Sequence, residues 1–291
     1  MTTYGSKAKN LLQLSESGIN VPAFIVIDNK DITEDGLSHL LSDSVLTGKK
    51  TLSVRSSSAL EDTKTLSFAG QFKTFLNVPA DKVFSKVKKC FDATSSKNLN
   101  TYLEKMGMAD KPIKMSVIVQ EMINSDYSGV IFTANPQGIL NEMVIAVGFG
   151  TGNKVVEDKT PVSTYYYNTD DKLYYSETRD RSPTLTNEMI EALIDLSADI
   201  REIFGREMDI EFAVKNNVIH ILQARPITTL ASRNISVLDN SNLVESYPGI
   251  TLPLSASFIQ YPHFWHKHIS GFCLSAFRVL STQEVLSLKA D

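Results

Sequence analysis

Two apolar runs around a polar break, Asp209-Ile210-Glu211-Phe212-Ala213 and His220-Ile221-Leu222-Gln223-Ala224-Arg225-Pro226, restrict this chain more than any other segment. With Lys215-Asn216-Asn217 between them they read as two strands of a hairpin. Side chains alternate across a strand, so Glu211 sides with Asp209, and Gln223 and Arg225 point the same way as each other. A carboxylate and an amide oxygen are hard ligands suited to Mg²⁺, and a neighbouring guanidinium suits a phosphate. The hairpin therefore predicts a nucleotide site built on a sheet.

A chain of 291 residues with 42% hydrophobic content can bury a sizeable core, enough for two lobes. The net charge of −4 supplies no global basic field, so nucleic acid is not expected as a partner. Cys90 and Cys273 fit neither a metal spacing nor a disulfide framework. Neither a signal peptide nor an apolar span long enough for a membrane is visible, which predicts a cytoplasmic protein without a membrane partner.

Along the chain, Ser6 is a candidate cap for a helix whose apolar face runs from Lys7 to Leu14 and which Gly18 stops. A buried strand is expected at Ala23 to Ile27, a helix at Asp31 to Leu41, and a strand at Leu52 to Arg55 running into a polar loop, Ser56-Ser57-Ser58. From Ser56 to Phe75 the chain is rich in Ser, Thr and Gly, a composition that leaves backbone N–H groups available to phosphate oxygens. Helices follow at Asp81 to Ala93, with Cys90 on the inner stripe, and at Leu99 to Met106. After Lys111-Pro112 the texture turns to strands at 116–122, 129–132, 143–147, 164–167 and 173–175, then a long amphipathic helix from Asn187 to Phe204. The expected division is a first lobe over 1–112, a second over 113–230, and a linker into a following region over 231–291.

Taken together, Gly5-Ser6-Lys7-Ala8-Lys9-Asn10-Leu11, Val54-Arg55-Ser56-Ser57, Glu61-Asp62, Ser67-Phe68-Ala69-Gly70-Gln71, Gln120-Glu121-Met122, Ser128 to Thr133 and Leu222 to Thr228 resemble the nucleotide-binding region of phosphoenolpyruvate synthases and pyruvate phosphate dikinases. The resemblance covers about residues 5 to 228. It implies an α+β, ATP-grasp-like fold of two lobes with ATP and Mg²⁺ in the cleft between them. It implies Lys7 and Arg55 as phosphate-contacting cations, Gly70 in a loop over the phosphates with Thr74 at its far end, and Gln120, Glu121 and Ile123 in the hinge strand that holds adenine. Glu211 and Gln223 resemble the Mg²⁺ ligands and Arg225 the residue that stabilises charge on the phosphoryl group in flight. Asp209 is a weaker candidate behind them.

Each position also has a plainer reading. Lys7 suits a solvated lysine, Arg55 an ion pair with Glu61 or Asp62, and Ser67 to Gln71 an ordinary turn. Gln120 and Glu121 suit ordinary strand positions whose backbone carries any recognition, and Glu211 can pair with Arg225 simply to join two strands. His263, His266 and His268, interleaved with Phe264 and Trp265, read as an amphipathic interface rather than a metal site. The chain departs from its relatives in having Gly5-Ser6 where a glycine pair is usual, and in its loop Gly148-Phe149-Gly150-Thr151-Gly152-Asn153.

None of the five histidines sits in the threonine-rich setting of the family's phosphorylatable histidine. The resemblance then implies a dikinase-type phosphotransferase region that cleaves Mg-ATP and passes phosphate to a histidine domain elsewhere, in sequence downstream or in a partner chain. Pyruvate is the first choice of final acceptor, as in phosphoenolpyruvate synthase. A rifampicin-phosphotransferase-like acceptor, a non-catalytic ATP-binding module and an acyl-phosphate-forming ligase are the alternatives.

Overall fold

The computed structural model describes residues 4–58, 73–93, 115–138, 141–152, 155 and 160–227, all within one compact unit spanning Met1–Ile235. The expected loop at Ser67 to Gln71 with Gly70, the Glu61-Asp62 pair, the helix at Leu99 to Met106 and the region from 231 onward lie outside the described residues.

Helix α1 (Ser6–Glu16) is followed by β1 (Phe24–Ile27), α2 (Glu34–Ser42), β2 (Thr51–Ser58), β3 (Thr74–Pro79) and, after a short 3-10 turn, α3 (Val83–Asp92). Strand β4 (Met115–Glu121) returns between β1 and β2, giving an antiparallel four-stranded sheet in the order β1-β4-β2-β3. The change from one sheet to the next therefore comes at residues 122–126, after β4, and not near Lys111-Pro112. The second sheet holds β5 (Tyr127–Phe132), β6 (Glu142–Phe149), β7 (Val162–Asn168), β8 (Tyr174–Glu177), β9 (Met208–Lys215) and β10 (Val218–Pro226), in the antiparallel order β10-β9-β5-β6-β7-β8. Helix α4 (Asn187–Phe204) precedes β9.

Period-2 alternation gives each sheet two different faces. In the first, Leu52, Val54, Val78, Val117 and Val119 form a buried core with Val83, Val87 and Cys90 of α3. The opposite face carries Ser53, Arg55 and Ser57 of β2, paired with Gln120, Ile118 and Ser116 of β4. In the second sheet Ile131, Met143, Ile145, Ile210 and Phe212 share a core with Ile190, Leu193 and Ile200 of α4. With buried Ser197 between Leu193 and Ile200, those helical positions recur every three or four residues, the spacing that keeps one stripe on the sheet. Thr186 caps α4 by accepting from the Met189 N–H at 3.3 Å.

Helix α1 is the joint between the two sheets. Ala8 and Leu11 pack on Ile118 of the first, and Leu14 enters the core of the second. Asn10 Nδ2 donates to the Ala224 carbonyl of β10 at 2.8 Å, and Gln13 Nε2 to Ile203 at 3.1 Å. Ser6 does not cap this helix: the cap position is Gly5, without a side-chain hydrogen bond. Orphan N–H groups of the first turn are met instead from the sheet, Ala8 N by Ser57 Oγ and Gly5 N by Ser116 Oγ, both at 3.1 Å. Ser56, Ser57 and Ser58 are accordingly buried residues of β2 and not a loop.

Gly5 lies so close to the Ser57 backbone that a Cβ would fall well inside van der Waals contact. A backbone obstacle cannot rotate away, so Gly5→Ala should destabilise the protein by about 1–3 kcal/mol. The melting temperature of this variant is the check, and an unchanged value would contradict the close approach.

Other differences are local. Helix α2 begins at Glu34 rather than Asp31 because Asn29 Oδ1 accepts from Asp31 N and Thr33 Oγ1 accepts from Gly36 N, which makes Thr33 the cap. The β9–β10 turn is tighter than expected: Asn216 and Asn217, at φ 51° and 61°, make the two-residue connection with both residues left-handed that suits a twisted hairpin. Among the described residues no helix is long and apolar enough to cross a membrane.

Candidate functional site

The hairpin register delivers the expected convergence. Gln223 faces Glu211 across the strands and Arg225 faces Asp209, with a bulge between Ile221 and Gln223 that restores the phase. All four project from the sheet face opposite the α4 core, since Ile210 and Phe212 take the other side. Arg225 Nε donates to Asp209 Oδ2 at 2.7 Å, and Gln223 Nε2 to Glu211 Oε1 at 3.3 Å.

The first sheet completes the group. Arg55 Nη2 donates to Glu211 Oε2 at 2.8 Å, while its Nη1 reaches the Leu222 carbonyl at the bulge, at 3.2 Å. Arg55 thus pairs with Glu211 of the second sheet, and Glu211 pairs with Arg55 rather than with Arg225. Lys7, in the first turn of α1, is close enough for its charge to act on Glu211. Thr74 sits beside Arg55 as its cross-strand neighbour on β3. Five expected residues, Lys7, Arg55, Glu211, Gln223 and Arg225, therefore meet in one place, with Thr74 at the margin.

Electrostatics separate the two acids. Burial pushes the Glu211 carboxyl up, but Arg55, by charge and hydrogen bond, with Arg225 and Lys7 behind it, holds it below the ordinary glutamate value. At Asp209 burial again pushes the carboxyl up, Arg225 opposes it only in part, and the Glu211 charge adds to the rise, so the pKa stands above the usual aspartate value. The Glu211 carboxylate and the Gln223 amide oxygen are hard donors of the type Mg²⁺ takes; in this structure Glu211 Oε2 meets Arg55 and Oε1 meets the Gln223 amide nitrogen, so a bound ion would replace the second of these contacts.

Among the described residues, two buried donors on the inter-sheet face lack a partner: Arg55 Nε and Gln120 Nε2. An unpaired buried donor costs about 1–3 kcal/mol, and native structures seldom keep one without a ligand or water to meet it. Phosphate oxygens and base nitrogens are acceptors of the needed kind. At Gln120 the backbone has no free edge, because β4 is flanked by Phe24 of β1 and Ser53 of β2. The ladder closes with Glu121 N on Ala23 O at 2.8 Å and Met122 N on Thr51 O at 3.2 Å, and Ile123 follows it in the crossing to the second sheet. The Glu121 side chain is engaged by Lys49 Nζ at 2.7 Å.

Sequence reasoning undervalued Asp209, which is only 8% exposed and grips Arg225; its position opposite Arg225 in an alternating hairpin was the available signal. It missed Ser57 and Ser116, which dock the helix that carries Lys7. No local pattern announces serines in that role.

A family profile described as the pyruvate phosphate dikinase AMP/ATP-binding domain matches residues 35–182 and 163–240, more than half of the chain. An uncharacterized phosphotransferase, YvkC, from Bacillus subtilis is 28% identical over 88% of this chain and 38% of its own length. A probable phosphoenolpyruvate synthase from Archaeoglobus fulgidus is 32% identical over 62% of this chain and 27% of its own length. A rifampicin phosphotransferase from Streptomyces sviceus is 31% identical over 61% and 23%. The chain thus spans well under half the length of these relatives. Among solved structures, a D-alanine–D-alanine ligase from Bacillus anthracis aligns with 77% of this chain and 57% of its own, at 14% identity and a TM-score of 0.44. With two antiparallel sheets and packed helices, the fold is α+β, as the motifs implied. The chain belongs to the family of the pyruvate phosphate dikinase AMP/ATP-binding domain.

Proposed function

We propose that this region binds Mg-ATP between the two sheets, cleaves it and passes phosphate to a histidine outside the chain, as the first station of a phosphoenolpyruvate synthase-like dikinase. The observation that carries this reading is the meeting of Lys7, Arg55 and Arg225 around Glu211 and Gln223, drawn from a helix and from both sheets. Lys7 and Arg55 would neutralise the phosphate chain from the first lobe. Glu211 and Gln223 would hold Mg²⁺, which when bound supplies charge neutralisation across the phosphate oxygens. Arg225, oriented through its Nε by Asp209, would stabilise charge on the phosphoryl group during transfer. Gly70, outside the described residues, would cover the phosphates, and Gln120, Glu121 and Ile123 would hold the adenine end. The first sheet ends with β4 and the second begins with β5, and this supports the segment 122–126 as the proposed hinge between lobes.

Positioning and charge stabilisation are the whole of the catalysis on this reading, since the nucleophile comes from elsewhere. The test is incubation of the protein with labelled ATP, with and without a histidine domain from a longer relative. AMP and phosphate are expected only when both are present. ADP formed by this chain alone would overturn the reading in favour of a ligase or kinase. Pyruvate is the proposed final acceptor. Because a rifampicin phosphotransferase matches at nearly the same identity as a phosphoenolpyruvate synthase, pyruvate and rifampicin should be compared in that reconstituted system.

A further inference from the structure

His220 is a titratable residue that the proposed chemistry leaves unused, and its place in the hairpin is informative. Ile219 and Ile221 of β10 pack toward the α4 core, so His220 between them projects with Gln223 and Glu211 toward the opposite face. Its cross-strand partner is Ala213, two residues beyond Glu211 on β9, or about 7 Å along the strand. That direction leads away from Asp209 and Arg225 and toward the hinge, where Asp126 N bonds Val214 O at 2.9 Å. The Glu121 carboxylate, at the start of the hinge, is near enough to act on the imidazole.

The tautomer of this ring follows from its neighbours. Asn20 Nδ2 donates to the Ile219 carbonyl at 2.7 Å, which fixes which end of that carboxamide is nitrogen. The same Nδ2 lies 3.3 Å from His220 Nδ1. A nitrogen that meets an amide donor must accept, so Nδ1 is bare and the proton of the neutral ring is on Nε2. Burial lowers the pKa of this histidine, opposed by Glu121, in keeping with a neutral ring. The ring therefore offers a single fixed N–H donor on the face that also carries Glu211, Gln223 and Arg225, at the end toward residues 122–126.

We infer that His220 reads the nucleotide base, donating from Nε2 to a ring nitrogen of adenine. Together with the unpartnered Nε2 of Gln120 this gives two donors at the base end. On its pairing edge adenine presents one acceptor, N1, beside the N6 amino donor, whereas guanine presents O6 as acceptor and N–H donors at N1 and N2. A His220 N–H placed at N1 would meet an acceptor in ATP and a donor in GTP, which favours ATP. The inference rests on the nucleotide reading above, so the experiment includes a ligand that has phosphates and no base.

Equilibrium binding of ATP, GTP and inorganic tripolyphosphate, each with Mg²⁺, should be measured on the full chain and on His220→Phe and His220→Gln. The unsubstituted chain should prefer ATP to GTP. His220→Phe, which keeps a flat ring and removes the donor, should weaken ATP about five- to tenfold, in line with one hydrogen bond, and leave tripolyphosphate within twofold. His220→Gln, which restores an N–H donor, should recover part of the ATP affinity. If His220→Phe and His220→Gln both bind ATP as the unsubstituted chain does, His220 does not read the base and the nucleotide reading stands. Equal losses for ATP and tripolyphosphate would mean a structural role and would also overturn the inference. Failure of the unsubstituted chain to bind ATP would remove the nucleotide reading itself.

Discussion

Arg225→Ala should lower phosphoryl transfer by about two to three orders of magnitude while ATP affinity changes by only a few fold. The asymmetry comes from where the charge is needed. Lys7 and Arg55 bear on the site from the first lobe and would serve the bound triphosphate throughout, whereas Arg225 is the cation on the hairpin itself, with its Nε held by Asp209 at 2.7 Å. A guanidinium gripped at Nε has its plane fixed, and a fixed plane is what a transfer in flight can use. Arg225→Lys should therefore recover little, since an ammonium keeps the charge and loses the planar fork.

A structural side effect has to be separated from this. Asp209 is 8% exposed, burial already pushes its carboxyl above the usual range, and loss of Arg225 removes the opposing charge. Arg225→Ala combined with Asp209→Asn removes that unpaired acid. If the double variant regained normal transfer, the single variant's defect would have been one of folding. Transfer rates measured with a histidine domain under single-turnover conditions, beside direct ATP binding, distinguish the cases. Normal transfer by Arg225→Ala would end the role assigned to it.

The hairpin was legible because its information is local. Alternation with period two placed Asp209 with Glu211 and Gln223 with Arg225, and the short polar break at 215–217 fixed the pairing. Helix α4 was equally legible, since Thr186 caps it and its apolar positions repeat at helical spacing. What could not be read was the contact between distant segments. Arg55 and Glu211 are 156 residues apart, and nothing near either one says which face of the first sheet will turn toward the second. The acids close to Arg55 in sequence, Glu61 and Asp62, were the partners its surroundings suggested. Ser56 to Ser58 misled for a related reason: three serines suggest solvent, but here they continue β2, and Ser57 meets a helix N-terminus that only the folded chain brings to it. Strand β4 escaped assignment to the first sheet because a strand's own sequence does not name its neighbours.

That unread contact has the second largest expected consequence. The Arg55 side chain is 12% exposed and that of Glu211 26%, so the pair is largely removed from water while remaining near the site's opening. Arg55→Ala deletes a 2.8 Å ion pair and a bond to the Leu222 carbonyl, and it leaves Glu211 with burial pushing its carboxyl up and only Arg225 and Lys7 to oppose it. Removing one partner of a buried pair costs about 3–5 kcal/mol; partial exposure argues for the lower part of that range. For a chain of this size, 3 kcal/mol corresponds to a fall of roughly 6–12 °C in melting temperature. ATP binding should fall as well if Arg55 meets the phosphates, but that loss alone cannot separate a ligand contact from a misplaced sheet. A double-mutant cycle with Glu211→Gln does so on stability, with no nucleotide present. Residues in direct contact should show a coupling of about 1–3 kcal/mol. Coupling below about 0.5 kcal/mol, the additivity expected of independent sites, would mean that the two sheets are held together through α1 and the β10 edge. The alignment of Arg55 on Glu211 would then follow from that packing instead of helping to create it.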